Sequence, residues 1–288
     1  MSAGPDSTGA APVVLADSVT ALPPAARGAV LVSGSHGGRV AARYAADAGV
    51  RAVVFNDAGY GLDDAGVAGV HALDAIGCAA AAVSHRSARI ADAADTLARG
   101  TISCANRTAQ ALGVAPGMDC REAVRRLATA MPPAGALSAH PETRFVLLAA
   151  EGGRPPIVGL DSIGGVVASD AGAVLVIGSH GALHGGSPSS ALPVDAAGAF
   201  FHDAGVGCDG AGITRLPVLD ERAIPAATVD GATARIGDAR SLWVTGVLSH
   251  VNATARRAGL APGQRACDAA RRLAGAPREG TDPLRRVS

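Results

Sequence analysis

Short apolar runs alternate with longer mixed segments along this chain, and several of the runs close on a small polar cluster. Val13–Ala16 ends at Asp17-Ser18, Ala29–Val32 at Gly34-Ser35-His36-Gly37, and Ala52–Phe55 at Asn56-Asp57. Ala79–Val83 is a fourth run of the same kind. Runs of four or five apolar residues without alternation read as strands buried on both faces, as in parallel sheets. The intervening spacing predicts helices over Arg39–Ala48 and about Ala65–Ile76. Ser103 and Asn106 read as one turn apart on the face of a last helix.

The whole pattern then occurs a second time. Gly28-Ala-Val-Leu-Val-Ser-Gly-Ser-His36 returns as Gly172-Ala-Val-Leu-Val-Ile-Gly-Ser-His180, and Asp57-Ala-Gly-x-Gly-x-Asp63 as Asp203-Ala-Gly-x-Gly-x-Asp209. Ala88-Arg-Ile-x-Asp92 matches Ala234-Arg-Ile-x-Asp238, and Ser103-x-x-Asn106 matches Ser249-x-x-Asn252. The offset is 144 residues up to the Ser-His pair and 146 after it, which places a two-residue insertion near Leu183–Ser190. Strands are expected at Ile157–Leu160, Ala173–Ile177 and Ala226–Val229. A helix over Ala211–Glu221 should be kinked or shortened by Pro217. Repeat one thus covers residues 13–130, and repeat two covers 157–276. Residues 131–156 form a linker with an extra strand within Arg144–Ala150. Met1–Asp6 reads as a disordered lead, and the tail after Ala276 as frayed. The fold class is α/β, a tandem duplication of a three-layer module with mainly parallel sheets. Ligands of such sheets bind beyond the carboxyl ends of the strands, where the repeated polar residues fall.

Composition removes whole classes of function. The formal net charge is zero and no basic run stands out, so nucleic acid is not an expected partner. No apolar stretch reaches about 18 residues, so no membrane span is expected. The first residues lack the basic start and apolar core of a signal peptide. All 25 basic residues are Arg, which excludes a Schiff-base lysine and a P-loop lysine. Five cysteines without C-x-x-C spacing point to a reduced, cytoplasmic setting. His180-x-x-x-His184 has a helical metal spacing, but it lies in a Gly-rich stretch and Val40 stands in its place in repeat one. Neither a metal nor a cofactor is expected. A homo-oligomer is left open.

The candidate chemistry follows from what both copies keep. His36 and His180 suit general-base work near neutral pH. Ser35 and Ser179 are weaker nucleophile candidates, because the flanking pattern is not G-x-S-x-G. Asp57 and Asp203 can orient a histidine or bind a polar group, whereas Asp63 and Asp209 read as helix caps. Asp17, Asp161, Asn106 and Asn252 are candidate substrate contacts. Arg89 and Arg235 offer either a fork for a carboxylate or carbonyl, or an internal pair with the aspartate three residues on.

The order strand, His-Gly, helix, strand, small-residue turn, helix, strand resembles the caspase-like α/β fold, in particular its CHAT-type members. That resemblance covers about 60 residues per copy and implies a His-Cys pair. The pair would fall on His36 and Ala58, and on His180 and Ala204, so the nucleophilic cysteine is missing from both copies. The resulting expectation is a small-molecule enzyme with one cleft between its halves. A hydrolase of a C–N bond, amide or imide, in a small polar substrate comes first. A lyase or isomerase of a small carboxylate, and a non-catalytic ligand-binding or regulatory protein, are the alternatives.

Overall fold

The computed structural model describes residues 11–138 and 140–276, so the expected lead and tail lie outside the described residues. Repeat one builds a five-stranded sheet in sequential order: β1 (Val13–Ala16), β2 (Val30–His36), β3 (Ala52–Asn56), β4 (Ala79–Val83) and β5 (Ile102–Ala105). The first four strands are parallel and β5 is antiparallel to β4. Repeat two builds a six-stranded sheet from β6 (Arg144–Leu148), β7 (Ile157–Leu160), β8 (Val174–His180), β9 (Gly198–His202), β10 (Ala226–Val229) and β11 (Leu248–Val251). Its outer strands β6 and β11 are antiparallel to their neighbours, and β7–β10 are parallel.

Strand alternation divides each sheet between two helical layers. Leu31, Val53 and Phe55 face α1 (Arg39–Asp47) and α2 (Ala68–Ala72). Val30, Val32 and Val54 face the other way, towards α3 (Ala93–Arg99), α4 (Arg107–Ala111) and α5 (Cys120–Leu127). In repeat two, α6 (Arg215–Glu221) covers one face, and α7 (Ala239–Thr245), α8 (Ala253–Arg257) and α9 (Ala266–Leu273) cover the other.

One local expectation needs correction. Ser103 and Ser249 lie on strands, and Asn106 and Asn252 are the N-caps of α4 and α8 rather than residues on a helix face. The helix expected over Ala211–Glu221 is shortened, as expected of Pro217: α6 begins at Arg215, with Pro217 as its third residue, where a missing N–H has no intrahelical partner to lose. Strand β2 also runs beyond the apolar run, through Gly34-Ser35-His36. This stretch continues past a register shift, so that His36 pairs with Asn56. Its counterpart His180 pairs with His202.

The two sheets are joined through their strand-end loops. The Leu62 N–H donates to the Gly231 carbonyl at 2.8 Å, and the Cys208 N–H donates to the His85 carbonyl at 2.8 Å. These bonds are exchanged copies of each other, the signature of a pseudo-twofold axis. Ala58 with Ala204, and Ile90 with Ile236, form a small buried apolar cluster. Ala58, Tyr60 and Asp63 carry positive φ, as do Ala204, Val206 and Asp209. Both loops therefore hold a backbone shape that L-residues adopt at a cost.

Candidate functional site

His36 and His180 end interior strands of their sheets and are nearly enclosed, at 9% and 5% exposure. In each ring Nδ1 accepts a backbone N–H from two residues on, Gly38 at 3.1 Å and Ala182 at 3.3 Å. An accepting Nδ1 places the proton of the neutral imidazole on Nε2. Burial, with the neighbouring His202, pushes His36 down to about 4. Burial also holds His180 well below the usual histidine range, helped by His184 and Arg215. Both imidazoles are neutral at physiological pH, with Nε2 left without a protein partner among the described residues.

Both rings line one cavity of about 50 Å³ on the pseudo-twofold axis, together with Ser18, Ser162 and Glu142. Ser18 and Ser162 are equivalent residues of the two Asp-Ser turns. Glu142 and the Tyr44 ring break the symmetry. The Glu142 carboxyl is raised above its ordinary range by burial and by Asp161, against hydrogen bonds from Ser162 and Tyr44.

On the repeat-one side His36 also lines a second chamber, of about 320 Å³, bounded by Arg39, Asp63, Arg235 and Asp238. Its symmetry counterpart, of about 270 Å³, is bounded by Arg89, Asp92, Asp209 and Thr214, and His180 does not reach it. The inserted segment explains the difference. In repeat two, no α-helix follows the histidine. Short 3₁₀ turns at His184–Gly186 and Pro188–Ser190 take its place. The His184 ring stands edge-on to His180 at 5.9 Å, and the Gly185 N–H donates to the Ala91 carbonyl at 2.8 Å. This turn separates His180 from the chamber on its side.

The remaining candidates are largely occupied by the fold. Ser35 and Ser179 Oγ accept the Val19 and Ile163 N–H groups, each at 3.1 Å. Asp17 and Asp161 accept the first N–H of α3 and of α7, from Ala93 and Ala239. Asp57 Oδ1 takes the Gly59 N–H, the His85 N–H and His85 Nδ1. Burial would raise its pKa, but these hydrogen bonds outweigh it and lower it. Asp203 makes the two equivalent backbone bonds, to Gly205 and Gly231. Neither carboxylate bonds to His36 or His180. Asn106 and Asn252 spend their amides on backbone: Oδ1 caps the helix and accepts from β4 or β10, while Nδ2 donates to Cys78 or Ile224. Arg89 is paired with Asp92 and Asp95. Arg235 pairs with Asp238 and crosses to Asp63 of the other repeat at 2.8 Å. Arg99, unmatched in repeat two, makes the reciprocal bridge to Asp209.

Glu142 and Arg39 were missed because neither has a counterpart in the other copy, and comparison of copies was the signal used. His202 and Asn56 show the converse, a chemical difference with one structural job. His202 donates to the Ala234 carbonyl at 3.0 Å and accepts the Ala204 N–H at 2.9 Å. Asn56 donates to Ala88 at 3.1 Å and accepts from Ala58 at 2.9 Å. Cys104 Sγ lies 3.5 Å from His71 Nε2, but burial pushes its thiol up to about 11, away from a reactive thiolate. Ala58 and Ala204, where the caspase-like resemblance places a nucleophile, are buried methyls in the contact between repeats. Among the described residues no cluster of three or more His, Cys, Asp or Glu has the geometry to hold a metal ion, and no helix is long and apolar enough to cross a membrane. No protein-family model, no curated protein and no solved structure matches this chain.

Proposed function

We propose that this protein is an acid–base enzyme acting on the carbonyl group of a small polar molecule, with its active site at the axial cavity and the chamber that opens from His36. One observation carries the reading. Two equivalent neutral imidazoles, each about nine-tenths buried or more, fill Nδ1 from their own chain and leave the Nε2–H for the cavity. A neutral imidazole held this way acts as a hydrogen-bond donor to a carbonyl oxygen on which negative charge develops. It is not a general base, because Nδ1 is occupied and Nε2 already carries the proton. The base is Glu142, whose raised pKa brings it nearer the operating pH.

Hydrolysis of a C–N bond uses this set directly. Glu142 takes a proton from water as the oxygen attacks the carbonyl carbon, and the imidazole donors hold the oxyanion. As the C–N bond breaks, Glu142 returns the proton to the departing nitrogen. The serines are not needed as nucleophiles, and among the described residues no base stands within hydrogen-bond reach of the Ser35 or Ser179 hydroxyl. The test is His36→Asn. The asparagine Oδ1 can accept the Gly38 N–H as Asn56 accepts from Ala58, while the Nε2–H donor is lost. Turnover of small amides and imides, followed by ¹H NMR in D₂O, should fall about 10²–10³-fold with the fold retained. Release of amine supports hydrolysis. Deuterium incorporated next to the carbonyl, without amine, would assign a lyase or isomerase instead. An unchanged rate in His36→Asn would remove the imidazole from the chemistry.

A further inference from the structure

We infer that the molecule bound beside His36 carries a single carboxylate, which is gripped by the N-terminus of α1 and the guanidinium of Arg39. This rests on the acid–base reading of the cavity only for where the reacting carbonyl lies. The anion site itself stands on separate observations. Helix α1 starts three residues after His36 and runs for nine residues, and its cap, Gly38, supplies no side-chain oxygen. The N–H groups of Arg39, Val40 and Ala41 have no acceptor among the described residues. Arg39 and Val40 line the large chamber, while Val40 and Ala41 line the axial cavity. A helix end with unsatisfied donors favours an anion through both its N–H groups and its dipole.

Three further features point to a ligand in this place. The buried His36 ring, whose Nε2–H has no partner among the described residues, lines both the large chamber and the axial cavity. Arg39 makes no ion pair or hydrogen bond among the described residues, whereas Arg235 across the chamber is held by both Asp63 and Asp238. Planar guanidinium is the side chain best matched to a carboxylate. The charge balance then limits the ligand. Arg235 is engaged by Asp63 and Asp238, whereas Arg39 has no partner among the described residues, so a single carboxylate matches the one cation left beside the helix end. A dianion would set its second charge against Asp63 and Asp238, with no further unpaired arginine among the described lining residues. The counterpart chamber has none of these features: Leu183 stands three residues after His180, no α-helix starts there, and the imidazole is walled off. Selection of a monocarboxylate is therefore a property of the repeat-one side.

The probe is sodium acetate, titrated into the uniformly ¹⁵N-labelled full chain, with acetamide as the neutral isostere and inorganic phosphate as the more highly charged anion. Acetate should shift the Val40 and Ala41 amide resonances saturably, and acetamide should not at the same concentrations. Arg39→Gln should weaken acetate binding by about tenfold or more. Arg39 is exposed and without partners, so this variant should keep the fold, and the wild-type acetate–acetamide contrast needs no variant. Equal shifts with acetate and acetamide, or unchanged acetate affinity in Arg39→Gln, would overturn the inference. Tighter binding of phosphate than acetate would overturn the monocarboxylate class. Failure of the acid–base reading shows elsewhere, as unchanged turnover in His36→Asn, and leaves the acetate titration unaffected.

Discussion

Gly231 and His202 should be energetically coupled, and the other repeat shows why. A Cβ added to Gly231 would stand 2.9 Å from His202 Cε1 and 3.3 Å from Asp203 Oδ1. Carbon atoms pack at about 3.5–4.0 Å, so the imidazole would have to retreat by roughly 0.6 Å. It has no freedom to do so, because Nε2 is tied to the Ala234 carbonyl and Nδ1 to the Ala204 N–H. Overpacking of this kind costs about 1–3 kcal/mol. In repeat one the shorter Asn56 makes both equivalent bonds, and the position of Gly231 is taken by a full side chain, His85. Gly231→Ala should therefore cost about 2 kcal/mol in the native background and under about 1 kcal/mol in His202→Asn. The Asp203 contact is common to both backgrounds and cancels in the cycle. His202→Asn alone should cost about 1–2 kcal/mol, from lost ring volume. Urea unfolding of the four proteins at pH 7.5 gives the coupling. Equal penalties for Gly231→Ala in the two backgrounds would refute the steric argument.

Acid should destabilise this protein within a defined window. His36 and His184 are lowered to about 4 and His180 and His202 are also lowered, against 6.5 for the free side chain, so the folded state binds fewer protons than the unfolded one. Their contribution is complete above 6.5 and is lost as pH falls towards 4, with a slope near pH 5 approaching roughly 4 kcal/mol per pH unit if three protons are taken up. Urea midpoints at pH 7.5, 6 and 5 measure it, and a flat profile would show that these imidazoles titrate in the fold as they do in the unfolded chain. Arg235 lines the chamber that His36 reaches, and Arg89 lines the one it does not. Arg235→Lys should raise KM because lysine cannot hold the Asp63–Asp238 fork in place, whereas Arg89→Lys should change only the melting temperature, and equal kinetic effects would argue for two working sites.

Much of the fold was legible because a duplication states the same hydrophobic pattern twice. All four parallel strands of repeat one, and three of the four in repeat two, fall where apolar runs are followed by polar residues; β9, at Gly198–His202, was not read as a strand. The errors share a physical origin. Short antiparallel strands such as Ile102–Ala105 carry too few residues to display a period, and the fixed spacing of Ser103 and Asn106 arises equally from a strand followed by its N-cap. The site was harder to read. Residues kept in both copies include those that maintain the shared fold, which is why Asp57, Asp203, Asn106 and Asn252 are committed to backbone. Residues that distinguish one working chamber from its counterpart are present once, as Arg39 and Glu142 are. Repetition located the axial cavity through its histidines, but it hid the groups that make its two sides different.

That difference can itself be perturbed at Gly185. The His184–Gly186 turn is docked by the Gly185 N–H on Ala91, and Gly185 has φ of 54° with a would-be Cβ 2.7 Å from Asp17 Oδ2. An alanine there meets both a left-handed backbone and a carboxylate fixed by its bond to the Ala93 N–H. The two penalties together amount to about 2–3 kcal/mol, enough to displace a short, solvent-exposed turn without unfolding the sheets. His184 and His180 owe their depressed pKa values first to burial beneath this segment and its neighbours. Gly185→Ala should therefore open His180 to the counterpart chamber and let both rings titrate closer to 6.5. His36, across the axis, should keep its value near 4. Histidine ring resonances followed from pH 8 to 5 separate the three residues. If the turn moves but His180 stays neutral throughout, its burial comes from the strand ends alone, and the inserted segment is not what distinguishes the two halves.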